Sequence, residues 1–268
     1  NQQLGEIILL NNLISSNFII HNQKKLIKMT TLTKVIIGVV LSILLSSCSF
    51  ISGVNGNGNV TNETITLQSN FNKIDAGHVL NVILTKGNSQ NVVVEADENL
   101  QEIISIYVEE NTLIIKTDAN IGSSERKHVF VTYTDLEEIH VNSGAQLEND
   151  GQLNVESLEV STTSGGNVTL SLNTKNLEAK ATSGGILKLQ GNTNTFNVKA
   201  TTGANLNADN LIAQNVEAKA TTGANIKVNA NKKISADVST GGNIKYSGNP
   251  EDTNISDDST TGGNISKG

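Results

Sequence analysis

The chain has no Trp and only one each of Pro (Pro250), Cys (Cys48), Met (Met29) and Arg (Arg126) among 268 residues. A single thiol cannot build a disulfide framework, so whatever folds here is held by packing and hydrogen bonds. An aromatic content of 3% argues against the usual aromatic platform for stacking sugar rings. The net charge is −7. Residues 1–47 carry a net +3 (Lys24, Lys25, Lys28 and Lys34 against Glu6), so the remainder stands at −10. Such an acidic surface with one Arg excludes nucleic acid as a partner, because phosphate binding needs concentrated positive charge. No Pro- or Ser-rich stretch interrupts the chain after residue 60, which implies one continuous domain over 60–268.

What the chain has in abundance is a short phrase: Ser or Thr, then Gly, then Gly or Ala. It starts at Ser143, Ser164, Ser183, Thr202, Thr222, Thr240 and Thr261, at spacings of 21, 19, 19, 20, 18 and 21 residues. A repeat of about 20 residues is one supersecondary unit, the signature of a solenoid. Counting from the Ser/Thr, apolar residues recur at −6, −4, −2, +4 and +6, the period of one strand face. Examples are Leu158, Val160, Thr162, Val168 and Leu170; Phe196, Val198, Ala200, Leu206 and Ala208; and Val216, Ala218, Ala220, Ile226 and Val228. Each unit reads as strand, sharp Gly turn, strand and loose return, with length variation in the return, for example Asn207 to Gln214. The +1 glycines (Gly144, Gly165, Gly184, Gly203, Gly223, Gly241, Gly262) are expected to take a positive φ at the corner. A phosphate-cradling role would need a helix after them, and no helix-period segment follows. At +3, Asn167, Asn205, Asn225, Asn243 and Asn264 are placed to form an amide ladder along the stack, interrupted by Ile186 and preceded by Gln146.

Residues 60–133 carry less regular β-branched runs and one short helical start at Asp97, read as a capping residue. They are expected to form the atypical first coils of the same stack. Upstream, Met29 opens a short cationic segment, the apolar run Val35–Leu45, and Ser46-Ser47-Cys48. That order is a secretory signal peptide over 29–47, and Leu45-Ser46-Ser47-Cys48 resembles the bacterial lipoprotein box. Cys48 is therefore the expected lipid attachment site, followed by a flexible tether over 48–59. Two or three acyl chains suffice for stable membrane anchoring. Residues 1–28 fit neither element and read as an upstream stretch or an extended basic leader.

Candidate chemistry is sparse. His78, His128 and His140 lie at no metal-ligand spacing, and the pairs Asp97-Glu98, Glu109-Glu110, Glu137-Glu138 and Asp257-Asp258 point to opposite faces of a strand. No catalytic, metal or cofactor residue is assigned. The runs Phe71-Asn-Lys-Ile-Asp, Val92 to Leu100, Leu113-Ile-Ile, the repeated Ser/Thr-Gly-Gly/Ala-Asn-Ile/Val and the ending Gly-Gly-Asn-Ile-Lys-Tyr-Ser-Gly-Asn-Pro250 resemble the putative auto-transporter adhesin, head GIN domain family over 56–268. The resemblance implies an all-β, right-handed, single-stranded parallel β-helix with about 20 residues per coil, on exported proteins that are often lipoproteins. The expected function is a non-catalytic, lipid-anchored binding module of the cell envelope, an adhesin at the outer membrane. A polysaccharide lyase or hydrolase and a purely structural envelope protein are the alternatives. Glycan or protein ligand and homo-oligomerisation stay open, as does the membrane face.

Overall fold

The computed structural model describes residues 33–39, 53–257 and 262–268, and the chain divides into two units, Asn1–Ser52 and Gly53–Gly268. Cys48, Thr261, Asp258 and residues 1–28 lie outside the described residues. In the first unit, residues 33–39 form helix α1, inside the segment read as a signal peptide. Among the described residues no helix is long and apolar enough to cross a membrane.

The second unit runs β1 (Val60–Ile65), β2 (Lys73–Ala76), β3 (Asn81–Lys86), β4 (Asn91–Asp97), α2 (Glu98–Gln101), β5 (Ile104–Glu109), β6 (Thr112–Thr117), β7 (Lys127–Tyr133), β8 (Glu138–Val141), β9 (Gln146–Asn149), β10 (Leu153–Asn154), β11 (Ser157–Thr162), β12 (Asn167–Ala181), β13 (Ile186–Ala200), β14 (Asn205–Ala220), β15 (Asn225–Val238), β16 (Asn243–Ser247), β17 (Asp252–Asp257) and β18 (Asn264–Lys267). From β11 onward every ladder is parallel. Asn167 pairs with Ile186, Ile186 with Asn205, Asn205 with Asn225, Asn225 with Asn243 and Asn243 with Asn264. The unit is a β-solenoid whose coil length is the sequence period. All fifteen core positions named above are buried. Burying each larger one of them contributes roughly 1.5–3 kcal/mol.

In the central coils the return proves to be strand as well, since β12, β13 and β14 run through 14 or more residues without a break, while the returns between β9 and β11, apart from the short β10, and between β16 and β17 are loops as expected. The bend is supported from inside. Thr174 Oγ1 lies 2.9 Å from the Glu156 carbonyl and 3.0 Å from that of Asn176, so an inward hydroxyl serves the backbone where the strand turns. The extra residues of longer coils enter here as bulges, between Lys188 and Gln190 and between Ala208 and Ile212.

The +2 position decides how closely coils approach at the corner. It sits directly on the −2 residue of the preceding coil. Ala145, Ala204 and Ala224 stand where that residue is Ala76, Ala181 or Ala200. Gly166, Gly185 and Gly263 stand where it is Val141, Thr162 or Val238. A Cβ on Gly185 would come 2.8 Å from Thr162 Cγ2, and one on Gly263 2.6 Å from Val238 Cγ2. Gly242 departs from this size match: it follows Ala220, yet its Cβ would lie 2.3 Å from the Ala220 carbonyl oxygen.

The amino-terminal coils are permuted. Strand β2 lies between β6 and β8, parallel to both, and β3 lies between β7 and β9. The first coil in sequence is thus the second in space. The end beyond it is closed by antiparallel strands, β4 on β7, β1 on β4, and β5 on β6.

Two expectations at this end are corrected. Residues 53–59, read as part of a flexible tether, are strapped down: Val54 N–H donates to the Asn120 carbonyl (2.7 Å), Gly56 N–H to that of Ser123 (2.7 Å), and Asn57 N–H to Asn99 Oδ1 (2.8 Å). Asp97 stands at the N-cap position of α2, but its side chain makes no cap hydrogen bond. Its carboxylate is buried and accepts the backbone N–H groups of Gly58 (2.6 Å), Glu125 (2.9 Å) and Arg126 (3.2 Å), while α2 is a single turn. Burial alone would raise the Asp97 pKa, but these donors, Arg126 foremost, hold it below its ordinary value. The carboxylate clamps the strap to the 123–126 loop.

Candidate functional site

The corner at Ser143, Ser164, Ser183, Thr202, Thr222 and Thr240 is a type I′ turn. Both central residues have positive φ: Ser143 49° and Gly144 73°, Thr202 53° and Gly203 69°, Thr222 52° and Gly223 71°. The turns close through Ala145 N–H to the Asn142 carbonyl (3.0 Å), Gly185 N–H to Thr182 (2.8 Å) and Ala224 N–H to Thr221 (3.1 Å). The glycine signalled one left-handed residue; the Ser or Thr before it is the second, and for a β-branched Thr this is an outlier conformation. The stack supports it, because Gly203 N–H donates to the Thr222 carbonyl (3.0 Å) and Gly223 N–H to that of Thr240 (3.1 Å), tying corner to corner. The coil of β2 and β3 makes the same corner without glycine in the central pair, with His78 at 57° and Val79 at 56°. His78 is therefore a turn residue.

The seven +1 glycines line one edge, and Gly165, Gly184 and Gly262 share the same positive φ. Next to them the +3 residues point outward. Asn225 Nδ2 donates to Asn205 Oδ1 (3.1 Å) and Asn243 Nδ2 to Asn225 Oδ1 (3.2 Å). Asn167 is separated from Asn205 by the coil carrying Ile186, so those two amides cannot meet.

On the opposite side of the corner, outward residues form charged columns. Glu138, Glu159 and Glu178 are in register, as are Lys180, Lys199 and Lys219. Lys180 Nζ bridges Glu178 (2.7 Å) and Glu159 (2.9 Å), Lys219 reaches Asp237 (2.6 Å), and Lys73 reaches Glu138 (3.0 Å). Glu178 first and Glu159 second hold the Lys180 pKa above its ordinary value. These groups are solvent-exposed, so the pairs fix coil register more than they add stability.

In the same column as Lys180, Ser161 Oγ lies 2.8 Å from His140 Nδ1, with Asp75 next in line. The order suggests a nucleophile, base and acid, but the geometry lacks the rest. Asp75 Oδ1 accepts from Asn142 Nδ2 (2.9 Å), and the β11 backbone is committed to ladders with β8 and β12, leaving no oxyanion donors beside Ser161. Among the described residues no group of three or more His, Cys, Asp or Glu could hold a metal ion.

A groove of about 360 Å³ runs across β7, β3, β9 and the start of β12. Two columns line it. One runs Phe130, Ile83, Glu148, Thr169; the other runs His128, Asn81, Gln146, Asn167. Phe130 is 39% exposed. The His128 ring meets it edge-on (6.1 Å between centroids, 86° between planes), and His128 Nδ1 lies 3.3 Å from Glu95 Oε2. The Oδ1 atoms of Asn81 and Asn167 are buried and accept no hydrogen bond from the protein. The repeat marked Gln146 and Asn167 as ladder positions only, and His128 stood out only as a histidine; Phe130, Ile83, Asn81 and Glu148 carried no sequence signal, because their juxtaposition depends on the permuted coil.

Residues 70–250 match the family described as putative auto-transporter adhesin, head GIN domain. The chain belongs to this family. The head GIN domain is similar to a solved putative adhesin from Bacteroides fragilis, with 25% identity and a TM-score of 0.74, covering 80% of this chain and all of the other. It is also similar to a putative lipid binding protein from Parabacteroides distasonis (19%, TM-score 0.65, 80% and 99% covered) and a putative adhesin from the same organism (18%, 0.66, 81% and 100%). At those two identities the likeness is one of fold. No curated protein sequence matches the chain.

Proposed function

We propose that this head GIN domain is a non-catalytic binding module of the cell envelope, an adhesin held at the outer membrane by lipid on Cys48. The observation that carries the reading is the set of in-register columns of outward side chains, a continuous polar surface on a rigid stack, in a chain whose family and 25%-identical neighbour are described as adhesins. The isolated Ser161–His140 contact, without oxyanion donors, supports binding over turnover.

Two measurements test it. Cells expressing the full chain are labelled with a fatty acid and fractionated. Wild type is expected to carry label in the outer membrane, and Cys48→Ser to lose both label and membrane association; label retained by Cys48→Ser refutes the anchor. Purified 53–268 is then applied to intact host cells, matrix proteins and polysaccharides. Saturable binding without product release supports the module, and polysaccharide depolymerisation by the domain overturns it in favour of a lyase or hydrolase.

A further inference from the structure

The groove over β7, β3 and β9 combines features that select a ligand class. The exposed ring face of Phe130, continued by Ile83, is an apolar strip, and the ring is held in place by His128, itself fixed by Glu95. Alongside runs an amide column, Asn81, Gln146 and Asn167, of which two carbonyl oxygens are buried without a donor from the protein. Those two oxygens lie beneath the surface; the amide of the column that reaches solvent is that of Gln146, which can both donate to and accept from a ligand hydroxyl. Glu148 sits in the apolar column itself, and its lining neighbours include no Lys or Arg. An anionic ligand would be repelled by Glu148 and Glu95. A cationic ligand would be drawn to these carboxylates, but an ammonium has no acceptor to offer the amide N–H groups of Gln146. A surface with an apolar ring face, an amide able both to donate and to accept, and carboxylates that accept strongly from hydroxyls suits an uncharged polyhydroxylated ring with one C–H face.

The geometry points to this groove as the binding site for a neutral glycan, with Phe130 as the stacking residue and Gln146 and Glu148 as hydrogen-bonding partners. The proposal rests on the binding-module reading and names its ligand. It also reverses the expectation from low aromatic content, because a single ring suffices once the fold brings it beside an amide column.

The probe is an array of neutral oligosaccharides printed beside their sialylated, sulfated and uronate-containing counterparts, followed by calorimetry on the best neutral ligand. Wild-type 53–268 should bind neutral members preferentially. Phe130→Ala and the gentler Phe130→Leu should each weaken binding about tenfold or more, the loss of one stacked ring and its contact area, while thermal unfolding stays close to wild type. Gln146→Ala should weaken it by a smaller factor, and Asn225→Ala, on the far coils, should leave it unchanged. Preference for acidic glycans, or neutral binding that survives both Phe130 variants, overturns the groove assignment. Binding to host cells or matrix proteins with no saccharide bound overturns the ligand class but leaves the module reading standing, whereas no binding to any of these surfaces overturns both.

Discussion

Gly185→Ala isolates the rule that sets corner packing. The residue has ordinary backbone torsions, so the added methyl costs nothing in φ, and its whole effect is contact with the coil below: 2.8 Å to Thr162 Cγ2 and 2.8 Å to the Thr162 carbonyl oxygen. Overpacking of this kind costs about 1–3 kcal/mol, which for a domain of this size lowers the melting temperature by roughly 2–4 °C per kcal/mol. Thr162→Ala recreates the Ala181–Ala204 arrangement of the next corner, and it also removes a buried hydroxyl that has no partner. The double variant should therefore recover a large part of the loss, giving a coupling of about 0.5–2 kcal/mol in a cycle of four proteins followed by urea or thermal unfolding. Some cost should persist because the carbonyl contact remains. Strict additivity of the two changes would show that the −2 and +2 residues do not sense each other, and the size-matching account would fall.

Gly223→Val should cost roughly 1–2 kcal/mol from φ alone, since a Cβ there meets nothing within 4 Å and Val79 already occupies the equivalent position; failure to fold in circular dichroism would refute this. The same change at Gly262 should lower the melting temperature less, because among the described residues the strand after it, β18, is laddered to β16 alone and can fray without disturbing the other coils; an equal or larger drop contradicts the account. Asn225→Ala removes two ladder bonds at exposed amides and should cost about 1 kcal/mol or less, read by thermal melting; a loss several times larger would mean the ladder holds the stack together. The Asp97 pKa is lowered in the folded state, so its contribution is present above the ordinary Asp range and is lost as pH falls through the lowered value. Hydrogen exchange at Gly58, Glu125 and Arg126 should accelerate in that acid window, and Asp97→Asn should abolish the pH dependence while speeding exchange at neutral pH; unchanged protection in acid would refute the clamp.

The regular half of the domain was legible because its contacts lie one period apart. Val216, Ala218 and Ala220 alternate in a strand, and the same register one coil earlier predicts what they touch. The matching of Gly185 to Thr162 is also written in the sequence, but only a reader who already knows which coil sits beneath which can see it. The corner at His78-Val79 was invisible, since its glycine, Gly77, precedes the central pair instead of lying within it, and β-branched residues are poor candidates for positive φ. Phe130, Ile83 and Glu148 come from three strands whose spatial order is not their chain order, so no local pattern could have assembled the groove. Asp97 looked like a cap because its sequence neighbours are helical; its true partners are 28, 29 and 39 residues away.

In the permuted coil, folding order cannot follow chain order. Strands β2 and β3 precede in the chain both of their neighbours on either side, and half of each strand's hydrogen-bonding capacity waits for β8 and β9, some 65 residues later. Closing such loops costs entropy before any contact repays it, whereas each later repeat can add to a surface already formed. Assembly is therefore out of chain order at this end: coil β2–β3 is complete only when β6–β7 and β8–β9 stand on either side of it, whereas each later coil adds to the one before.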